Sequence, residues 1–162
     1  MRIADSFFGR RPRATLIRVV TVVVLAYVLF GYVLLPVRLQ GISMEPTYTD
    51  GQIDFANRLA YLRQPPARGD VVAIRMAGPR VVYVKRIVGL PGERIEIVMG
   101  VVNIDGAPLV EPTVVRKAPW NLAPVVLGAD EYFVIGDNRG MAIENHEFGR
   151  ASRGRIVGKM LF

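Results

Sequence analysis

Two patterns of apolar residues divide this chain. From position 19 to 37 it reads VVTVVVLAYVLFGYVLLPV without a charge. As a helix rising 1.5 Å per residue that stretch is roughly 28 Å long, close to the hydrocarbon thickness of a bilayer. Beyond it the apolar runs shorten and become rich in Val and Ile. Gly, Pro or Asp-Gly signals separate them, and they predict strands at 52–57, 70–75, 81–88, 94–98, 101–104, 132–135 and 155–161. Met99-Gly100 and Asp105-Gly106 read as tight hairpin turns. No stretch after position 37 repeats with a helical period. Pro112, Pro119 and Pro124 argue against a continuous strand in the loop at 111–128. The expected fold is all-β, antiparallel sheets coiled into an open barrel-like body at 38–162. One transmembrane helix at 19–37 carries it, behind a basic N-terminal segment at 1–18.

Charge sharpens this picture. Residues 1–18 hold Arg2, Arg10, Arg11, Arg13 and Arg18 against Asp5, so +4 of the net +7 lies there and only +3 is spread over the rest. That is a basic flank beside an apolar run, not a nucleic-acid-binding face. The positive-inside rule puts the flank in the cytoplasm and the β body outside, in a single-pass arrangement in the cytoplasmic membrane. A cleavable export signal would have a shorter apolar core followed by a small-x-small site; here the run ends in Arg38-Leu39-Gln40. With no cysteine, disulfides, thiolate metal sites and a cysteine nucleophile are excluded.

Three segments carry candidate chemistry. Ser43 follows Gly41 and precedes Pro46, a setting that presents a hydroxyl with backbone N–H groups nearby. Taken alone, it is also an ordinary Gly/Pro turn. Lys85 lies inside Val-Val-Tyr-Val-Lys-Arg-Ile-Val at 81–88. The chain has 21 basic residues but only three lysines, Lys85, Lys117 and Lys159, so lysine rather than arginine stands in its most apolar run. Lysine loses its proton when desolvated and arginine does not, which is what a general base for a serine hydroxyl requires. An edge-strand lysine is the plainer alternative. Gly-Asp-Asn-Arg at 136–139 closes the apolar run 132–135.

Together these segments resemble the ordered motif boxes of the type I signal peptidases. The matches are Ser-Met-x-Pro-Thr at 43–47, Gly-Asp at 69–70 and Tyr-x-Lys-Arg-x-x-Gly-x-Pro-Gly at 83–92. Gly-Asp-Asn-Arg at 136–139 and Ile-Val-Gly-Lys at 156–159 complete the set. The resemblance implies a membrane-bound serine endopeptidase with Ser43 as nucleophile and Lys85 as general base. The Ser43 backbone N–H would serve the oxyanion, and Gly41 offers no side-chain hydroxyl to help it. Leu39, Met44, Tyr83 and Val84 would line shallow pockets for the small-x-small residues of signal peptides on exported preproteins. Arg86, Asp137, Asn138 and Arg139 would support the site, Arg86 and Asp137 as an ion pair. No cofactor or metal is implied; membrane lipid and the protein-export machinery are the further expected partners. With the helix ending at Val37, Ser43 would sit close to the membrane, where exposed Val and Leu residues and Trp120 would rest on lipid.

The segment after Gly-Asp-Asn-Arg departs from that pattern. The family usually continues Asp-Asn-Ser-x-Asp-Ser-Arg, with a glycine after two further residues. Here Ala142 stands at the lysine-orienting serine, Glu144 at the aspartate and His146 at the arginine, although the spacing to Gly149 is kept. Lys85 is thus left to water or to another group, such as an asparagine. His146, the only histidine, lies in a polar loop beside Asn145 and Glu147 and reads as part of a solvated turn. A Ser–His–Asp arrangement with Ser43 finds no other support. Two alternatives stay open. One is a specialised peptidase of the same dyad type acting on pilin or secretion subunits. The other is a non-catalytic membrane-tethered β-domain that binds exported proteins.

Overall fold

The computed structural model describes residues 12–75 and 82–161. Its first element is a helix (α1, Pro12–Val28) continued by a π-helical segment at Leu29–Val33, together 22 residues long. At 1.5 Å per residue this is about 33 Å, enough to cross a bilayer. No residue of Pro12–Val28 is buried by protein.

The helix differs from the 19–37 expectation at both ends. It starts before Val19, and it stops at Val33 because the next residues are claimed by a sheet. Leu34–Arg38 (β1) pairs antiparallel with Ile53–Asn57 (β2), from Leu34 opposite Asn57 to Arg38 opposite Ile53. Pairing drives Val37 into the core, at 7% exposure. An apolar tetrapeptide at a membrane boundary satisfies either environment by composition, and the unpaired edge of β2 selects the strand. The helix end is tied down as well: Arg58 donates to the Gly31 carbonyl at 2.7 Å, and Phe30 meets Phe55 at 6.1 Å. Ser43 therefore stands ten residues beyond the helix, not six, with β1 between.

The remaining strands are Val71–Arg75 (β3), Val82–Gly89 (β4), Arg94–Val98 (β5), Val101–Ile104 (β6), Ala107–Pro108 (β7), Leu122–Val126 (β8), Glu131–Ile135 (β9), Gly149–Ser152 (β10) and Ile156–Met160 (β11). Position 81, expected to open β4, lies outside the described residues. Two sheets result, one ordered β1-β2-β11-β3-β4-β9-β10 and one ordered β7-β6-β5-β8. Every pairing is antiparallel. Both predicted turns form with positive φ at each central residue: 48° and 81° at Met99 and Gly100, 50° and 84° at Asp105 and Gly106. That is the backbone hand that joins twisted strands through two residues.

The proline-rich loop does contain a strand. β8 includes Pro124, yet it lies at the edge of its sheet, and its register with β5 shifts between Ile95 and Ile97. An edge with a bulge is where a residue lacking an N–H is tolerated. Trp120 is not available to lipid: it is 4% exposed and donates its indole N–H to the Met141 carbonyl at 2.8 Å.

Two motif boxes act as fasteners. Asp70 accepts from Lys159 at 2.7 Å, from the Tyr61 hydroxyl at 2.9 Å and from the Ala67 amide at 3.0 Å. Gly158 allows β11 to press on β2, since a Cβ there would lie 2.6 Å from the Asn57 carbonyl oxygen.

Candidate active site

The site forms where a turn after β1 meets the end of the β4–β9 pair. β4 lies in the middle of the larger sheet, so Lys85 is flanked by paired strands and only 4% exposed. It faces Val72 of β3. On the other side Arg86 pairs with Ile135, and one further step in that register brings Gly136 beside Lys85. The tight turn over residues 41–48 then carries Ser43 across the strand end. The Lys85 Nζ and the Ser43 Oγ are 2.9 Å apart, in hydrogen-bond contact.

Burial pushes the Lys85 ammonium down from the ordinary lysine value to about 8, and the negative charge of Glu147 opposes that shift. A low-dielectric setting disfavours the charged form of lysine, and this brings the neutral amine within reach of physiological pH. The Ser43 amide donates to no group among the described residues.

The Gly-Asp-Asn-Arg segment clamps the Ser43 turn from behind. The Asn138 amide donates to the Ser43 carbonyl at 3.0 Å, and the Asn138 side chain donates to the Ile42 carbonyl at 3.0 Å. Asp137 receives both arms of Arg86, at 2.8 and 2.6 Å, and also the Thr47 hydroxyl. Arg86 reaches on to the Gly69 carbonyl at 2.7 Å, linking the clamp to the Gly-Asp box. Arg139, 1% exposed, donates to the Gly136 carbonyl at 2.7 Å and pairs with Glu111. All four expected supporting residues thus meet in one network. Thr47 and Glu111 also belong to it, though their partners lie too far along the chain for spacing to reveal.

Beside the pair runs a groove of about 610 Å³. Leu39, Met44, Tyr83 and Val84 all line it together with Ser43 and Lys85, and Leu35 and Val37 of β1 extend its wall. Leu39, Met44 and Val84 are 3–8% exposed, so they form a packed floor, whereas Tyr83 is half-exposed and donates its hydroxyl to Glu147 at 3.1 Å. Burial of the floor leaves shallow apolar relief.

His146 departs furthest from its sequence reading. It is 4% exposed, not solvated, with Trp120 edge-on at 4.9 Å and Phe148 at 6.3 Å. The aromatic packing, invisible in a loop that looks polar, pulls it inward. Burial and then the positive charges of Lys85 and Arg139 hold its pKa down at about 4, so it is neutral at pH 7. No Ser–His contact forms through the Ser43 hydroxyl, which pairs with Lys85.

Comparison with known proteins places this geometry in a family. The family described as "Signal peptidase, peptidase S26" matches residues 13–162. The chain is 31% identical over 125 residues to the Signal peptidase I of Leptolyngbya laminosa, an alignment covering 72% of this chain and 62% of that protein. It is 32% identical over 155 residues to the Signal peptidase I of Bacillus amyloliquefaciens, covering 89% and 80%. Against the Probable signal peptidase I-1 of a Synechocystis species the identity is 31% over 147 residues, covering 86% and 75%. The crystal structure of a signal peptidase I from Enterococcus faecalis shares the fold. Its TM-score is 0.50 at 23% identity, over 60% of this chain and 98% of that one. The chain therefore belongs to the signal peptidase family, peptidase S26, and is a serine endopeptidase of the signal peptidase I class.

Proposed function

We propose that this chain removes N-terminal signal peptides from exported preproteins, cutting after small-x-small motifs with Ser43 as nucleophile and Lys85 as general base. The observation that carries the reading is the 2.9 Å contact between the Lys85 Nζ and the Ser43 Oγ at the end of an apolar groove. Neutral Lys85 takes the hydroxyl proton as the Ser43 oxygen attacks the scissile carbonyl. The Ser43 N–H stabilises the oxyanion, an interaction worth roughly 3–4 kcal/mol in comparable sites. The ammonium then protonates the departing amine, leaving an acyl-enzyme. Water, deprotonated by the now neutral Lys85, attacks the ester and frees the signal peptide. Shallow relief over Leu39, Met44 and Val84 admits small side chains, and Tyr83 flanks them.

The helix Pro12–Val33 anchors the enzyme in the cytoplasmic membrane, with the β body on the outer side. Arg13 and Arg18 at its start favour that orientation. Lipid and the export machinery are its surroundings. Ala142 favours a second reading, a narrower peptidase for a dedicated pilin-like or secretion subunit.

The test is cleavage of a preprotein in detergent or liposomes by wild type, Ser43→Ala and Lys85→Ala. Wild type should cut after a small-x-small site, and each variant should lose about a thousandfold or more. Activity retained by either variant sinks the dyad. A wild type that ignores general preproteins but cuts a dedicated subunit moves the function to the second reading.

A further inference from the structure

His146 lies between the 3₁₀ turn Ile143–Asn145 and β10, and the dyad chemistry makes no use of it. Its side chain is 4% exposed, and neither ring nitrogen has a hydrogen-bond partner among the described residues. A neutral imidazole carries one donor and one acceptor, and leaving either alone inside a protein is costly. Trp120 and Phe148 hold the ring in a fixed orientation.

The edge of the ring faces the nucleophile. A Cβ added at Gly136 would lie 2.7 Å from the His146 Cε1, 2.8 Å from its Nε2 and 2.1 Å from the Ser43 carbonyl oxygen. Gly136 is therefore a thin spacer, with the imidazole against it and the peptide of Ser43 against it too. The Ser43 carbonyl accepts one hydrogen bond, from the Asn138 amide, and a carbonyl has a second lone pair. Among the described residues Lys85 has one side-chain hydrogen bond, to the Ser43 hydroxyl. Ala142, four residues before His146, offers only a methyl group.

We propose that His146 is a positioning residue for the Ser43–Lys85 pair, its ring nitrogen restraining the nucleophile's peptide at the Gly136–Ser43 contact. The inference rests on the dyad reading above. The neutral ring donates from Nε2 towards the second lone pair of the Ser43 carbonyl, directly or through one water. Together with the Asn138 amide it fixes the orientation of the residue that bears both the reacting hydroxyl and the oxyanion-facing N–H. That restraint steadies the pair from the serine side, in a site where Ala142 offers no polar side chain to hold Lys85 from the other.

The experiment uses the full chain in detergent with a preprotein substrate, comparing His146→Phe, His146→Gln and Ala142→Ser combined with His146→Phe. Phenylalanine keeps the packing on Trp120 and removes the nitrogens; glutamine returns an amide nitrogen near the Nε2 position. His146→Phe should keep its melting temperature within a few degrees and lose about tenfold to a hundredfold in kcat. Its KM should change by less than about threefold, because no substrate contact is lost. His146→Gln and the double variant should each recover most of that kcat. Wild-type kcat in His146→Phe would overturn the proposal. So would a His146→Gln that folds as wild type and is as slow as His146→Phe, since only packing would then matter. If His146→Phe fails to fold, His146→Gln decides alone: near wild-type kcat sustains the role, and a hundredfold loss at unchanged melting temperature ends it. Ser43→Ala and Lys85→Ala, measured alongside, separate the two readings. Activity in those variants removes the dyad itself, whereas their loss beside a fully active His146→Phe removes only the histidine.

Discussion

Lys85 and His146 are both buried to 4% exposure, Lys85 in hydrogen-bond contact with the Ser43 hydroxyl and His146 against Gly136, yet they arrive there by different routes. Lys85 lies in the middle of a sheet, in a strand whose neighbours are Val84, Ile87 and Val88. His146 lies in a loop between asparagine and glutamate, and it is buried by Trp120 from a distant segment and by Phe148 two residues further on. Burial lowers both pKa values, to about 8 and about 4. The same physical cause has opposite consequences because the starting values differ. Lys85 is brought into the range where a base works at neutral pH, and His146 is removed from that range, leaving a neutral polar ring. Burial in this site thus brings one base close to neutrality at physiological pH and keeps the other a neutral dipole.

The largest expected effect would undo both settings at once. Asp137, whose side chain is fully buried, accepts from Arg86 and Thr47 directly behind the strand end. Asp137→Asn should destabilise the fold by about 3 kcal/mol, as breaking a buried pair leaves the arginine charge uncompensated. Denaturant unfolding checks it, and a midpoint shift equivalent to under about 1 kcal/mol would show that the clamp is not what holds the site.

Gly136→Ala comes next, because its methyl group meets the Ser43 carbonyl and the His146 ring together. A displacement of the nucleophile near 1 Å should lower kcat about a hundredfold. Full activity would mean that the two residues are not coupled through this glycine.

The comparison sharpens with pH. In the proposed mechanism Lys85 must be neutral to accept the serine proton, so the rate should rise with pH and level off above about 8. Well below that value it should fall about tenfold per unit. A flat profile from pH 6 to 9, with chemistry rate-limiting, would remove Lys85 as the base. Over the same range the His146 ring should show no titration by NMR.

The last effect concerns acid stability. The folded-state value of His146, about 4, lies below the ordinary 6.5, so the unfolded chain takes up the proton first. The stability contributed by the neutral ring is complete above pH 6.5 and is lost as pH falls through 4. The loss should be on the order of 2 kcal/mol by pH 5 and about 3 kcal/mol once both states are protonated. His146→Phe should flatten that part of the stability curve, and an unchanged curve would place the acid-sensitive group elsewhere.

The strands were legible where alternation and turn chemistry agreed. β5 and β6 fall on the expected residues, and Asp105-Gly106 turns between β6 and β7 with the backbone hand its sequence demands. β1 and β8 were not. Leu34–Arg38 is apolar enough for lipid, and Pro124 reads as a breaker, so each became a strand only because a neighbouring edge accepted it. In the site, lysine retained in an apolar run and the ordered boxes around it pointed to Ser43 and Lys85. Single residues gave no sign of Glu111 beneath Arg139, since that partnership spans sequence-distant loops.

The amino-acid order determined that an apolar helix precedes a Val- and Ile-rich β body, and which serine and lysine belong together. Period, length and residue type are local properties, so they can be read along a chain. The tertiary structure alone decided that the helix yields to a strand at Leu34, that Trp120 faces inward, and that His146 is buried beside Gly136 and the Ser43 peptide. Those outcomes depend on which distant surfaces meet, and a polar loop is drawn into the interior when an aromatic ring from another segment, here Trp120, is there to cover it.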